Sequence, residues 1–291
     1  MKAHQLLESG ISRLKNCCID EPEANAQWLL AYAMGRKRLE LLADLQVEVD
    51  SEQQDRFERY MRQKEQGMPL AYIVGTQEFI DITLKTDSRV LVPRPETEEL
   101  AEYAYRRFAL NWTEKAGKGA IMRVLDYGSG SGAIGFWLLT RIRNMKLVSA
   151  DKSSDALDCA RENAEILGIT DRITFVQTDS PEKIQGNFDL IVSNPPYIPS
   201  DVIPGLAPEV LFEPHIALDG GKDGLDVARL VFREAGRLLV SGGALFMEMS
   251  GGDPERLKGE CMPRILLRTW KDISFLEDFS GKKRFLYAER V

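Results

Sequence analysis

Five apolar, strand-like runs alternate with helical patterns from Ala120 onward, and this alternation constrains the fold more than any other feature of the sequence. The runs are IMRVLDY, KLVSAD, ITFVQTD, FDLIVSN and GALFMEM. The segments between them, such as AIGFWLLTRIR and SDALDCARENAEILG, carry apolar residues at helical spacing. Continuous apolar strands that alternate with helices are typical of a parallel sheet covered on both faces. We therefore predict an α/β fold for this part of the chain.

The end of the chain departs from this alternation. The strand-like runs TWKDISFLED and KRFLYAER are separated only by residues 279–282, whereas a parallel crossover needs about a dozen residues or more. The last two strands should therefore be antiparallel. The result is a Rossmann-like, seven-stranded, mostly parallel sheet with an antiparallel end hairpin. That is the arrangement of class I SAM-dependent methyltransferases, although other α/β folds also have antiparallel edges.

The N-terminal part of the chain has a different pattern. Residues 1–72 read as consecutive short helices, with apolar residues at helical spacing between glycine and proline stop signals. Helix starts are indicated at Asp20 and Ser51, which are followed three residues later by Glu23 and Gln54, the spacing of a capping box. We predict a small all-helical domain over this segment.

A β-hairpin linker is predicted between the two parts, over residues 73–95. Its two short strands would lie on either side of the turn-prone triplet Thr86-Asp87-Ser88. Residues 96–291 then form the α/β domain. Two domains agree with the length of 291 residues, since a domain takes roughly 150 residues.

The composition makes several functions improbable. The chain has 38 Lys and Arg against 45 Asp and Glu, a formal net charge of −7, so no overall field draws it to nucleic acid or to an anionic membrane. No apolar run approaches the ~18 residues of a membrane span, and the N-terminus shows no signal-peptide pattern. The 4 Cys and 2 His form no zinc-site pattern, so no metal is expected. We expect a cytoplasmic monomer that binds neither membranes nor nucleic acid.

A glycine-rich loop stands directly between a strand and a helix in VLDYGSGSGAIG. Glycine allows tight turns and lets main-chain N–H groups approach a ligand without a Cβ in the way. Asp151 ends the next strand, where a carboxylate can accept hydrogen bonds from ribose hydroxyls. Together these features predict a nucleoside cofactor site, whose loop consists of Gly128, Ser129, Gly130, Ser131 and Gly132.

Two cofactors fit this loop. Residues 130–135 satisfy GxGxxG, so a dinucleotide-dependent oxidoreductase stays open. Asp126, just before the loop, would oppose a pyrophosphate but suits the cationic amino-acid part of S-adenosyl-L-methionine (SAM). No histidine lies at a strand end of the sheet to support hydride transfer. These two observations favour SAM.

The tetrapeptide Asn194-Pro195-Pro196-Tyr197 closes the strand FDLIVSN. Its prolines end the strand and fix the backbone angle φ, so that the Asn194 side chain and the Pro195 carbonyl keep one geometry. These two oxygens can orient an amide or exocyclic amine nitrogen, a weak nucleophile, as it attacks an activated methyl group. The Tyr197 ring can pack against the planar substrate group. We therefore take Asn194, Pro195 and Tyr197 as candidate catalytic residues.

With these motifs the sequence resembles the protein-(glutamine-N5) methyltransferases that act on peptide chain release factors, the PrmC/HemK type. The likeness covers essentially the whole chain. The shared segments are PLAYIVGTQEF at 69–79, VLVPRPETEEL at 90–100, VLDYGSGSGAIG at 124–135, FDLIVSNPPYIP at 188–199 and EPHIALDGGKDGL at 213–225. NPPY alone is shared with amino-methyltransferases of DNA, whereas PRPETE, NPPYIP and ALDGGKDGL together are far more specific.

The resemblance implies methyl transfer from SAM to the side-chain amide N5 of the glutamine in the Gly-Gly-Gln loop of bacterial class I release factors, with S-adenosyl-L-homocysteine as the product. The helical domain would help to dock this protein substrate. The residues that hold the glutamine would be Asn194, Pro195, Pro196 and Tyr197. The cofactor contacts would be Gly128 to Gly132, Asp151, Asp179, Ser180 and Asn194.

Some positions and two further readings stay open. Ser250 stands where the family commonly has glycine. The sequence leaves open the roles of Arg94, Glu96, Thr97, Glu213 and His215. An N6-adenine methyltransferase of DNA or RNA would need the same amine chemistry, although the net charge of −7 weighs against it. A noncatalytic binding protein that keeps the fold is the third reading.

Overall fold

The structure is a computed structural model that describes residues 1–112, 117, 119–250 and 269–291. Its strands are β1 Thr76–Phe79, β2 Ile82–Lys85, β3 Met122–Tyr127, β4 Met145–Asp151, β5 Ile173–Gln177, β6 Phe188–Ser193, β7 Leu239–Glu248, β8 Trp270–Glu277 and β9 Lys283–Arg290. Strands β3 to β9 form one seven-stranded sheet of order β5-β4-β3-β6-β7-β9-β8. The first five pair in parallel, and β9 pairs antiparallel with both β7 and β8. The predicted class I methyltransferase-like fold is confirmed.

Helices cover both faces of this sheet. The described helices are α1 Ala3–Asn16, α2 Pro22–Met34, α3 Arg38–Ala43, α4 Ser51–Glu65, α5 Leu70–Val74, α6 Pro95–Ala104, α7 Ala133–Arg141, α8 Ser154–Ile166, α9 Pro208–Leu211, α10 His215–Leu218 and α11 Asp226–Leu238. On β3, Val124 packs into the apolar cluster that contains residues of α6, α7 and α8, while Leu125 packs with α11 on the other face. Successive side chains of a strand point to opposite faces, so most residues of a strand buried on both sides are apolar. The buried Asp126 of β3 is an exception.

The chain reverses direction across the sheet between β3 and β6. From β3 it continues outward through β4 and β5, and it then returns to the other side of β3 as β6 and β7. The main chains that leave β3 and β6 therefore emerge side by side. In open α/β sheets the crevice at such a switch point, outside the carboxyl ends of the strands, is where ligands bind.

The chain divides into two compact units. One comprises Met1–Thr76 with Leu206–Phe212, and the other comprises Gln77–Gly205 with Glu213–Val291. In the first, α1 to α5 pack around one apolar cluster, and the buried ammonium of Lys64 lies 2.9 Å from the Glu209 carboxylate. The three-part division at residues 1–72, 73–95 and 96–291 stays a prediction.

The positions of two helix starts differ from the prediction. Helix α4 is capped by Asp50, whose carboxylate accepts a 2.8 Å hydrogen bond from the Gln53 main-chain nitrogen, so the capping box is one residue earlier than Ser51 and Gln54. Helix α2 begins at Pro22 with no side-chain cap. Glu23 pairs with Lys15 at 2.6 Å instead of capping.

The hairpin turn was predicted in the wrong place. Strands β1 and β2 are joined at Ile80 and Asp81, not at residues 86–88, and residues 90–92 form no strand. Ile80 has φ of +56°, which is unfavourable for a β-branched residue. Tertiary contacts hold this turn, because the Glu98 carboxylate accepts a 2.9 Å hydrogen bond from the Ile80 nitrogen and Asp81 accepts one from the Trp137 indole, also at 2.9 Å.

Among the described residues, no helix combines the length and the apolar character that a membrane crossing requires. Cys17 and Cys18 are exposed free thiols and Cys159 is a buried one. Cys261 and the rest of residues 251–268 lie outside the described residues.

Candidate active site

The loops that follow β3 and β6 meet at the switch point of the sheet. Tyr127 and Ser193, the last residues of these strands, are paired partners. The Ser193 hydroxyl donates a 2.7 Å hydrogen bond to the Tyr127 carbonyl. The next residues are Gly128 and Asn194, and a Cβ at Gly128 would lie 3.8 Å from the Asn194 main-chain oxygen. The glycine loop and the NPPY segment are therefore immediate neighbours, although 66 residues separate them in the chain.

A cavity of about 530 Å³ opens at this point, a volume in the ordinary range for small-molecule sites. Its wall combines glycine-loop and carboxylate groups with apolar side chains. Of the predicted site residues, those in the wall are Gly128, Ser129, Gly130, Ser131, Asp151, Asp179, Asn194 and Pro196. Those outside it are Gly132, Ser180, Pro195 and Tyr197. The predicted roles of both groups stay predictions.

The glycine loop needs its glycines for two reasons. Gly128, Gly130 and Gly132 have φ of +72°, +54° and +89°, a region that residues with a Cβ rarely adopt. In addition, a Cβ at Gly132 would collide with the ring of Phe136. The loop is therefore a fixed turn whose main chain faces the cavity.

Asp126 lies beneath this loop and is 1% exposed. Its Oδ2 accepts a 2.9 Å hydrogen bond from the Gly135 main-chain nitrogen. Its Oδ1 is buried and has no hydrogen-bond partner among the described residues. Burial, together with the nearby charge of Asp151, raises the pKa of Asp126 to about 7. A buried carboxylate oxygen without a partner is costly, and a cationic ligand group in the cavity would satisfy it.

Asp151 is held by the main chain around it. Its two carboxylate oxygens accept 2.9 Å hydrogen bonds from the nitrogens of Gly130 and Ser153. Burial raises its pKa. The carboxylate therefore ties the glycine loop to the end of β4 and still has lone pairs for a ligand hydroxyl.

Asp179 and Ser180 differ in their surroundings. Asp179 lines the cavity and pairs with Lys183 at 2.7 Å, and this hydrogen bond lowers its pKa. Ser180 caps the short helical turn at residues 181–183, where its hydroxyl accepts a 3.2 Å hydrogen bond from the Glu182 nitrogen. The Ser180 hydroxyl therefore has its partner within its own helical turn, and Ser180 is not part of the cavity wall.

The NPPY segment is supported by glycines that the sequence analysis did not single out. A Cβ at Gly220 would lie 2.8 Å from the Pro196 carbonyl oxygen, and a Cβ at Gly224 would collide with the Tyr197 carbonyl. Ile198 and Asp219 form a parallel bridge beside them. The segment ALDGGKDGL is thus the surface on which the NPPY backbone rests. The joint presence of NPPY and ALDGGKDGL in one sequence was the signal from which this contact could have been predicted.

The residues without an assigned role occupy several places. Thr97 is buried, lines the cavity and contacts the side chains of Asn194 and Glu248. Arg94 pairs with the buried Glu213 at 2.6 Å. His215 has an exposed side chain at the cavity wall. Glu96 lies 3.9 Å from Arg284. Ser250 follows shortly after the end of β7.

No cluster of three or more His, Cys, Asp or Glu side chains is arranged to hold a metal ion within residues 1–112, 117, 119–250 and 269–291. The polar groups at the cavity are carboxylates, hydroxyls, main-chain amides and one side-chain amide, together with the basic side chains of Arg89, Lys152 and His215. The carboxylates suit a cationic ligand group, and the hydroxyls, amides and carboxylates suit ligand hydroxyls.

Two family models match the chain. The PrmC N-terminal domain matches residues 5–75, and the Methyltransferase small domain matches residues 113–213. A release factor glutamine methyltransferase of Chlorobaculum tepidum is 34% identical over 97% of this chain and 95% of its own length. One of Deinococcus radiodurans is 35% identical over 100% and 99%.

The chain belongs to the release factor glutamine methyltransferase family.

Solved structures resemble the chain in fold alone. A T. thermophilus 16S rRNA methyltransferase in complex with AdoMet and guanosine has a TM-score of 0.52 at 19% identity, over 74% of this chain and 50% of its own. The hMettl16 catalytic domain in complex with the MAT2A 3′UTR hairpin 6 has a TM-score of 0.53 at 12% identity, over 71% and 74%. The guanosine in the first structure and the hairpin in the second do not bear on the substrate of this chain.

Proposed function

We propose that this protein transfers a methyl group from SAM to the side-chain amide N5 of the glutamine in the Gly-Gly-Gln loop of bacterial class I peptide chain release factors. One observation carries the proposal: Asn194 lines the same cavity as the glycine loop, and its main chain adjoins Gly128. A cofactor on that loop would have Asn194 beside it. The names of the relatives supply the substrate class.

The cofactor would be held by the glycine loop and by carboxylates of the cavity wall. Asp151 suits the ribose hydroxyls, and the unpartnered oxygen of Asp126 suits the cationic amino-acid part. Asp179 and Asn194 would add further contacts. When bound, SAM supplies a methyl group already activated by its sulfonium, so the protein needs neither a metal nor a strong base for it.

Asn194 and Pro195 would orient the substrate nitrogen. An amide nitrogen is a weak nucleophile because its lone pair is delocalised into the carbonyl group. Two acceptors, the Asn194 side-chain oxygen and the Pro195 carbonyl, would bind the two N–H bonds and turn the lone pair toward the methyl group. Catalysis then rests on placement and on fixed dipoles that match the positive charge developing on nitrogen. One proton of the substrate NH2 group would then pass to solvent, which leaves a neutral methylated amide.

The planar substrate amide would pack against Pro196, a residue of the cavity wall, and against Tyr197, the next residue in the chain. Burial raises the pKa of Tyr197 to about 12, so its hydroxyl stays protonated at neutral pH. Tyr197 would therefore contribute its ring and not a phenolate base.

The rest of the molecule would serve the protein substrate. We propose that the helical unit docks the release factor, and that the enzyme works as a monomer in the cytoplasm. The opposing hypothesis is N6-adenine methylation of DNA or RNA, because NPPY can serve an exocyclic amine equally well.

Radiolabelled SAM separates these two hypotheses. Incubation with an unmodified release factor and, separately, with DNA and RNA should place label on the release factor alone. The Asn194→Ala variant should bind SAM but transfer almost no label. Label on nucleic acid, or undiminished transfer by Asn194→Ala, would contradict the proposal.

A further inference from the structure

A chain of two hydrogen bonds runs from Asn194 through Thr97, which also lines the cavity, to Glu248, which is not part of the cavity wall. The Asn194 side-chain nitrogen donates a 3.0 Å hydrogen bond to the Thr97 hydroxyl oxygen. The Thr97 hydroxyl in turn donates a 2.8 Å hydrogen bond to the Glu248 carboxylate. Thr97 and Glu248 are only 4% and 1% exposed. Three segments that are remote in the sequence, the start of α6, the end of β6 and the end of β7, thus meet at one polar contact.

The chemistry of these groups fixes the direction of the chain. An ionised carboxylate only accepts hydrogen bonds, so the single hydroxyl proton of Thr97 must go to Glu248. The Thr97 oxygen is then an acceptor for Asn194, and only the NH2 end of the Asn194 amide can satisfy it. The oxygen end of the amide is consequently left as the acceptor for a ligand.

We propose that Thr97 and Glu248 are positioning residues that hold the Asn194 amide with its oxygen toward the substrate nitrogen. This inference rests on the proposed function, because only a substrate with an N–H donor needs an acceptor there. A rotated amide would present NH2 to the substrate NH2 group, which repels it. Asn194 itself is half-buried, and proline fixes only its backbone. We call the hydrogen-bond chain of Asn194, Thr97 and Glu248 the relay. The relay fixes the orientation of the Asn194 side chain, which the prolines do not fix.

The charge on Glu248 makes the relay sensitive to pH. Burial is the main cause that raises the pKa of Glu248 to about 7, and the charge of Glu96 adds to it, while the Thr97 hydrogen bond, Arg284 and Arg94 oppose it. Tyr197 also faces this charge but stays protonated, since its pKa is about 12. A protonated Glu248 can donate to Thr97, which frees the Thr97 proton and removes the preference for one amide orientation. The ordered state is therefore lost as the pH falls through about 7.

The relay is tested first in the protein without substrate. In the wild-type chain, the NMR signals of the Asn194 side-chain NH2 group should shift with a midpoint near pH 7. In Glu248→Gln, which keeps an oxygen to accept from Thr97 but cannot ionise, that shift should disappear. Absence of the shift in the wild-type chain, or an unchanged shift in Glu248→Gln, would overturn the proposal whether or not a release factor is methylated.

Methyl transfer at saturating SAM provides the second readout. Thr97→Val removes the hydroxyl at nearly constant volume and should lower kcat by about 10- to 100-fold, the effect of losing a hydrogen bond to a charged network. Thr97→Ser keeps the hydroxyl and should restore most of the rate, and Glu248→Gln should remove the fall in kcat below pH 7. Wild-type kcat in Thr97→Val, or no rescue by serine, would overturn the relay. An inactive wild-type enzyme would instead refute the proposed function.

Discussion

The Gly135 main-chain nitrogen donates a 2.9 Å hydrogen bond to one carboxylate oxygen of Asp126, while the other oxygen of that carboxylate is buried without a partner among the described residues. A Cβ at Gly135 would lie 2.8 Å from the same carboxylate, so the helix can approach Asp126 this closely only with glycine there. The carboxylate is thus fixed on one side and unsatisfied on the other. Such an arrangement costs stability in the free protein, and a cationic ligand group at this oxygen would relieve it.

Replacing Asp126 with Asn should separate stability from cofactor binding. Burial raises the pKa of Asp126 in the folded protein from 3.8 to about 7. The protonated carboxyl therefore stabilises the fold fully below pH ~4, and this contribution is lost as the pH rises through about 7. At pH 8, Asp126→Asn should therefore raise the free energy of unfolding of the cofactor-free protein by on the order of 2–4 kcal/mol. The gain should shrink toward pH 5. Urea unfolding at the two pH values measures it.

The same substitution should weaken SAM binding at pH 8 by about 10- to 100-fold, because a charge-assisted hydrogen bond is lost. Calorimetric titration provides the dissociation constant. For the wild-type protein, affinity should fall as the pH drops below 7, since the protonated carboxyl no longer attracts a cation. Unchanged affinity in Asp126→Asn would show that this carboxylate does not face the cofactor.

Gly132→Ala should disable the glycine loop. The new methyl group would meet the Phe136 ring, and φ of +89° adds backbone strain, so we expect a loss of at least about 2 kcal/mol of stability and no measurable SAM binding. Gly168→Ala is the matched control, because Gly168 has φ of +65° but open space at the Cβ position. Thermal unfolding and calorimetry compare the pair. If the two variants have the same thermal stability and the same affinity for SAM, the glycine loop can rearrange around the new methyl group.

Gly220→Ala tests the support of the NPPY backbone. Its Cβ would lie 2.6 Å from the Gly224 carbonyl and 2.8 Å from that of Pro196, so the segment must shift. We expect at least a tenfold fall in kcat, since a displacement of about 1 Å can cost 10²-fold. Gly205→Ala, with nothing near the Cβ position, should keep the wild-type rate. A wild-type kcat in Gly220→Ala would indicate that this contact does not position the site.

Tyr197 should act through its ring. Because the pKa of its hydroxyl is raised to about 12, Tyr197→Phe should keep most of kcat and leave the pH profile unchanged between pH 7 and 9. Tyr197→Ala removes the packing surface and should raise KM for the release factor and lower kcat. A large fall in kcat for Tyr197→Phe would assign the hydroxyl a direct role.

Continuous apolar strands made the sheet predictable from the sequence. A strand that is buried on both faces is mostly apolar, as Val124 and Leu125 show by packing on opposite faces. The buried Asp126 of the same strand is an exception. The hairpin turn was mislocated because Ile80 adopts a conformation that its own side chain disfavours, and the carboxylate of Glu98, 18 residues away, holds it there. Local sequence carries no signal for such contacts.

The candidate site was predictable only where a motif is contiguous. The glycine loop and NPPY are each short, and the switch point brings them together. Thr97 and Glu248 lie 151 positions apart, and neither residue type is unusual in its own segment. The support by Gly220 and Gly224 likewise depends on a loop that returns to the NPPY backbone.

Mass spectrometry of a release factor co-expressed with this protein shows whether the loop glutamine is the methyl acceptor. The wild-type enzyme should add one methyl group, located by fragmentation on the side-chain nitrogen of the glutamine in the Gly-Gly-Gln loop, and Asn194→Ala should leave that glutamine unmodified. A methyl group on any other residue, or an unmodified loop glutamine beside a folded enzyme that binds SAM, would contradict the account.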